Sequence, residues 1–284
     1  VQRPKVIDEL TLRVVSDNSV KVGRRGLLGE HGFSAVLSAA GESVLFDTGQ
    51  TGAVVTNNLK AMKAPHPATV VLSHGHYDHS GGLLEYAKVC PRPCRLFTQG
   101  DAFGKRLKKV GEKLQDIGMP FAKEALVDAG YEIHESDAPE LATDWLATSG
   151  IIRRESFEEP ETEFYIVEGG KAKKDPFLDD SAVAAILRGK GLVVVTGCAH
   201  AGVVNTIRQF QRLLGEERVH AVVGGFHLVD ASKDKMERTM AALGELNPDY
   251  LIPGHCTGKD AAYALRDALG KRVIFCEAGL ERTF

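Results

Sequence analysis

Positions 69–82 read TVVLSHGHYDHSGG, and this stretch restricts the fold more than any other. TVVLS is a short β-branched run of the kind that forms a buried strand. Three histidines and an aspartate follow within six residues, and a glycine pair comes directly after. His74 and His76 are two residues apart, so in extended chain their side chains leave the same face. Asp78 and His79 come after the turn, where Ser80-Gly81-Gly82 lets a helix begin close to the sheet. Two imidazoles on one side and a carboxylate–imidazole pair on the other suit two adjacent metal positions. Such donors favour zinc, and also accept iron or manganese. A polar loop with no ligand to bind has no reason to gather four such groups at a strand end.

The rest of the chain supplies the frame. LRVV (12–15), FSAVLS (33–38), SVLF (43–46) and TVVL (69–72) are short strand-like runs bounded by turn residues. LVVVT (192–196), HAVV (220–223), YLI (250–252) and VIFC (273–276) read as further strands. Val203, Val204, Ile207, Phe210, Leu213 and Leu214 follow a helical period, as do Met236, Met240, Leu243 and Leu246. An Ala-rich helix is expected near 260–269. The segment 85–177 is more polar and less regular, and its basic run KRLKKVGEK (105–113) reads as an exposed helix. Strands first, then alternating strand and helix, imply sheets covered by helices.

At 284 residues with 43% hydrophobic content, the chain can bury a sizeable core. No apolar run approaches the ~20 residues of a membrane span, so no membrane role is expected. A formal net charge of −3 argues against wholesale nucleic-acid binding. The first residue is Val, so a preceding segment stays open. Five cysteines do not make the framework of a small secreted domain, and a cytoplasmic, reduced protein is expected. Cys90 and Cys94 in CPRPC could hold a metal or form a bridge; a loop with two buried thiols is the preferred reading.

His74-Gly75-His76-Tyr77-Asp78-His79 matches the H-x-H-x-D-H pattern of the metallo-β-lactamase superfamily, which the chain resembles over most of its length. FDTG (46–49) looks like the family's first motif, and IPGHCTG (252–258) looks like its last. The resemblance implies an α/β four-layer αβ/βα sandwich: two mixed sheets face to face, helices outside, metals at one edge. It implies a single domain over 1–284, with an inserted polar segment at about 85–177 covering the active site. EHGFSAVL (30–37), TSGIIRR (148–154), DDSAV (179–183), TGCAHAGVVNT (196–206) and GGFHL (224–228) narrow the resemblance further. They look like the branch named after 7,8-dihydropterin-6-yl-methyl-4-(β-D-ribofuranosyl)aminobenzene 5′-phosphate synthase. Members of one branch need not share a substrate.

Two departures from the superfamily pattern bear on the site. DDSAV stands where a third-motif histidine is usual, so Asp179 or Asp180 is a candidate in its place. TGC replaces TGD, which puts Cys198 where an aspartate usually bridges two metals, with His200 two residues on. A Cys198 thiolate would favour a soft ion such as zinc; a small buried filler is the other reading. The assignment that follows is His74, His76 and either His200 or Asp180 on one ion, with Asp78, His79 and His255 on the other. One or two divalent transition metals, zinc foremost, are expected. Asp47 would fix a ligand imidazole's tautomer, and with a single ion Asp78 could act as general base. His227 is placed at the edge of the site, as a substrate contact, a metal ligand or a structural histidine, and His31 is a weaker case of the same kind.

The helix starting near Ala201-Gly202 offers N–H groups that suit a phosphate, and Arg153 and Arg154 offer a bidentate clamp. The expected partner is therefore a small phosphorylated or pterin-like molecule, acted on by hydrolysis or a related displacement. A nuclease or RNA-processing phosphodiesterase is the alternative within the superfamily. A non-catalytic metal-binding sensor is another, and the missing bridging aspartate favours it. A diiron redox role is disfavoured, because that branch carries Glu where His76 stands. A homo-oligomer is left open.

Overall fold

The structure, a computed structural model, describes residues 2–159 and 163–284. A seven-stranded sheet runs in the order Glu281–Thr283, Thr11–Ser16, Ser34–Ala39, Glu42–Phe46, Thr69–Val71, Cys94–Thr98, Tyr131–Glu135. Its first four strands pair antiparallel and its last four parallel, so it is mixed. A six-stranded sheet follows the order Tyr250–Gly254, Val219–Gly225, Gly191–Thr196, Ala182–Leu187, Leu146–Thr148, Leu141–Thr143, and is also mixed.

The two sheets stack through their apolar faces. Leu12, Leu37, Val44 and Phe46 of one share a core with Val183, Val195, Val223 and Ile252 of the other. Because strand side chains alternate, each sheet has a second face to cover. Val36, Leu45, Val70 and Leu96 pack outward against Val55 and Leu59 of the helix Gly52–Met62, and against Leu83 and Tyr86. On the other side Val222 and Leu251 meet Val203, Ile207, Leu243 and Leu265 of three helices. The layers are thus helix, sheet, sheet, helix, as the resemblance implies. The strands Ala182–Leu187, Gly191–Thr196 and Val219–Gly225 are buried at every residue, which is why they read as continuous apolar runs.

Four expectations need correction. KRLKKVGEK is not a helix. Arg106–Val110 and Lys113–Asp116 form a hairpin whose two-residue turn begins at Gly111, with φ 60°. Pairing with Phe164–Glu168 supplies the partner strand that a local reading lacks, and tertiary context overrides helix propensity. The segment 85–177 is not one inserted block: Cys94–Thr98 and Tyr131–Glu135 extend the first sheet, and Leu141–Thr143 and Leu146–Thr148 extend the second. What stands apart is a four-stranded sheet in the order Lys171–Lys174, Phe164–Glu168, Arg106–Val110, Lys113–Asp116. VIFC forms no strand, only a bridge between Val273 and Leu251. Cys90 and Cys94 are joined as a disulfide rather than left as two thiols. Among the described residues, no helix is long and apolar enough to cross a membrane.

Candidate metal centre

One edge of the stacked sheets collects the chemistry. Asp17, Asp47, His74, Cys198, His227 and His255 all lie just past the C-terminal ends of strands. Ligand sites of sheet proteins gather at such ends, where loops are free of the ladder. Asp47, Ala199, His227 and His255 hold positive φ angles of 57°, 55°, 46° and 47°. Left-handed backbone at non-glycine residues costs energy and concentrates at functional sites.

Two sets of donors converge. In the first, the ligand atoms of His74, His76 and His200 lie within 4.8 Å of one another. In the second, Asp78 Oδ2 is 3.2 Å from His255 Nε2 and 3.9 Å from His79 Nε2, and the two imidazole nitrogens are 3.1 Å apart. Cys198 Sγ sits between the sets, 3.2 Å from His79 Nε2 and grouped with His74, with His200 and with His255. Cys256, which the motif reading passes over, adds a second buried thiol beside Cys198 and His255.

The surroundings fix which ring nitrogens face inward. Asp47 Oδ2 takes a hydrogen bond from His79 Nδ1 at 2.7 Å and another from Ser73 Oγ at 2.7 Å. Ser73 has spent its one proton on Asp47, so His74 Nδ1 must donate to Ser73 Oγ across 2.8 Å. His255 Nδ1 likewise donates to Asn18 Oδ1 at 2.9 Å. Each arrangement turns Nε2 toward the cluster, the orientation that a ligand histidine needs. Asp17 Oδ2 also accepts the backbone N–H of His255.

These residues fit a cation. His74 Nε2, His76 Nε2 and both nitrogens of His200 are buried with no hydrogen-bond partner. An unsatisfied buried polar group costs about 1–3 kcal/mol, so several aimed at one point call for a ligand. Burial pushes His74, His76 and His200 well below the usual imidazole range, which keeps them neutral and able to coordinate. Burial works against charge at His79 too, but the carboxylates of Asp47 and Asp78 outweigh it and lift it to about 9. Asp78 is held well below the carboxylate range: burial opposes this, and His79, His255 and His31 overcome it.

Packing holds the ligand loops in place. Gly75 is forced, because a Cβ there would lie 1.9 Å from Ala102 O. Its N–H donates to Asp179 Oδ2 at 2.8 Å, and Asp179 Oδ1 pairs with the fully buried Arg106 at 2.9 Å. Gly197 is forced in the same way, since its Cβ would meet Ser73 Oγ at 2.0 Å. Phe177 stacks on the His200 ring at 4.2 Å, and Phe164 on His76 at 5.7 Å.

Asp180, Arg153 and Arg154 fall outside the donor sets, whereas His227 and His31 stand at their edge. Asp180 joins none of the ligand groups found among the described residues; its Oδ2 takes the Ala201 N–H at 2.7 Å. Burial pushes its carboxyl up to about 7. Arg154 donates to the carbonyls of His200 and Pro176, at 3.0 Å each, and so clamps the His200 loop. Arg153 is exposed. The helix Val203–Leu214 offers no open N-terminus, because Glu158 already accepts from the N–H groups of Val204 and Asn205. His227 packs on His200 with ring centroids 4.3 Å apart. His31 Nε2 lies 3.1 Å from Asp78 Oδ2. Both line a cleft of about 600 Å³ over the two donor sets. A larger groove of about 910 Å³, around residues 5–11, 38–43 and 144–145, lies at the opposite strand ends and contains no histidine or cysteine.

The sequence model of the metallo-β-lactamase superfamily matches residues 28–255. The chain belongs to that superfamily. Its relatives include the 7,8-dihydropterin-6-methyl-4-(β-D-ribofuranosyl)-aminobenzene-5′-phosphate synthase of Methanocaldococcus jannaschii, 30% identical over 81% of each chain. An uncharacterised protein of the same organism is 28% identical over 87% of this chain and 90% of its own. Among solved structures, a metal-dependent hydrolase of the β-lactamase superfamily superposes with a TM-score of 0.82 at 29% identity, covering 96% of this chain and 98% of that one.

Proposed function

We propose that this metallo-β-lactamase superfamily member is a hydrolase that uses two divalent cations to cleave a phosphoester bond in a small molecule. The observation that carries the reading is the convergence of two separate donor sets around one thiol, His74–His76–His200 and Asp78–His79–His255 about Cys198. His200 takes the place of the missing third-motif histidine. Bound divalent cations would supply Lewis-acid polarisation and an acidified water at neutral pH.

The chain's own groups do the rest. Asp47, Ser73 and Asn18 hold the imidazoles of His79, His74 and His255 in register. Asp78, kept ionised by its three histidine neighbours, would serve as an anionic donor to the second cation. The water oxygen bonds to phosphorus, the ester oxygen leaves, and the water's proton passes to it. Phe164 and Phe177 exclude solvent from the backs of His76 and His200. A cleft of about 600 Å³ suits a small ring-bearing molecule. The relative named as a dihydropterin synthase supports a pterin-like, phosphorylated substrate; zinc is the favoured ion because a thiolate selects soft metals.

Elemental analysis of the purified protein beside His76→Ala and His200→Ala tests this, together with turnover of bis(p-nitrophenyl) phosphate. The wild type is expected to carry about two equivalents of transition metal, and each variant much less, with turnover lost in parallel. Equal metal in all three would end the ligand assignment. Full metal without turnover would favour the sensor reading.

A further inference from the structure

The two anion-binding features expected from sequence are both occupied by the fold itself. The N–H groups at the start of Val203–Leu214 belong to Glu158, and Arg154 is committed to backbone carbonyls. Yet the cleft is not without positive charge. Among the described residues that line it, Lys108 is the one lysine or arginine.

Lys108 lies on the strand Arg106–Val110 of the small four-stranded sheet, and its side chain is half-buried. Its ammonium stands 5.2 Å from the centroid of Phe164, whose ring stacks on His76. The positive charge is therefore one aromatic ring away from the donor cluster. Lys105, just before this strand, pairs with Asp116, and Lys173 on the sheet pairs with Glu168. Lys108 has no such partner among the described residues. Val110 and Val229, large apolar side chains 48% and 56% exposed, line the same cleft with Ile117. Glu163 and Asp230 line it too.

We propose that Lys108 anchors a second anionic group of the substrate, so that the site selects phosphoesters with an apolar body ending in a negative charge. The inference rests on the hydrolase reading for the first anion, which the donor cluster would hold. Lys108 binds the far end, while Val110, Ile117 and Val229 cover the apolar body between. Lys108 touches no donor of the cluster, so it is a specificity residue and not a catalytic one.

Calorimetry on the metal-loaded full chain tests the anchor without turnover. Three probes share one alkyl spacer and one phosphonate; the far end is a methyl, a second phosphonate or a trimethylammonium. The wild type is expected to bind the bisphosphonate about tenfold more tightly than the methyl-ended probe, the scale of one charge-assisted contact. Lys108→Ala should erase that preference and Lys108→Glu should turn it toward trimethylammonium. Lys109→Ala, altering the exposed neighbour on the opposite strand face, should leave the wild-type pattern. A preference that survives in Lys108→Ala, or a wild type that favours the ammonium through Glu163 and Asp230, overturns the anchor. A wild type that shows the Lys108-dependent preference yet turns over no phosphodiester sinks the hydrolase reading and supports the anchor.

Discussion

The Asp47 carboxylate backs the His79 ring: Oδ2 lies 2.7 Å from Nδ1, and both side chains are fully buried. The same oxygen holds Ser73, which in turn holds His74. One carboxylate thus orients a ligand in each donor set. Asp47→Asn, nearly isosteric, is expected to weaken metal binding about 10- to 100-fold while the fold persists. Ser73→Ala, which removes the contact to His74 but leaves the Asp47–His79 bond in place, should fall at the low end of that range. Chelator competition monitored beside circular dichroism checks both, and wild-type affinity in Asp47→Asn would show that Asp47 is only a turn residue.

Arg154 and Arg153 separate a structural role from a substrate role. Arg154 grips the carbonyl of His200, so Arg154→Ala should loosen that loop and lower metal retention severalfold. Arg153 is exposed, and Arg153→Ala should change neither metal content nor KM. A raised KM for a phosphoester in Arg153→Ala, with metal content intact, would restore the phosphate clamp.

Glu158 caps the helix Val203–Leu214 by accepting from two of its N–H groups, at 3.2 and 2.9 Å. A glutamine offers one carbonyl oxygen for the two. Glu158→Gln should cost about 1 kcal/mol of stability, as loss of a helix cap does. That corresponds to a melting temperature lower by about 2–4 °C for a chain of this size. Metal content should not move, and a loss of metal without a change in melting temperature would place Glu158 in the site instead.

Gly75 has no room for a methyl group, since the Ala102 carbonyl occupies it. Gly75→Ala should force the segment 74–76 out of position, at about 1–3 kcal/mol for overpacking, and metal should be lost with it. Scanning calorimetry and metal analysis together read the outcome; a stable, fully loaded Gly75→Ala would mean that the loop is softer than its packing implies.

The cluster at positions 74–79, the strand ends at Asp47 and His255, and the helical periods of residues 203–214 and 236–246 were all legible because each is local. Alternation, helical spacing and a crowd of donors at a strand end are properties of neighbours in sequence. The sequence proposed both donor sets and left His200 and Asp180 as alternatives in one of them. Those two lie twenty residues apart, and which one faces inward depends on how the loops beyond two different strands pack. The roles of Ser73, Asn18 and Arg106 were hidden for the same reason: each acts through a hydrogen bond or ion pair to a residue whose position only folding sets. The basic run at 105–113 became a hairpin because a distant strand, Phe164–Glu168, offered it hydrogen bonds. The sequence by itself determined the layered scaffold and the donor types, since burial patterns and ligand chemistry are written in residue identity. The tertiary structure alone decided which donors meet, which cations are already spent on the backbone, and which lysine faces the cleft, because those depend on distances between parts of the chain that no local pattern encodes.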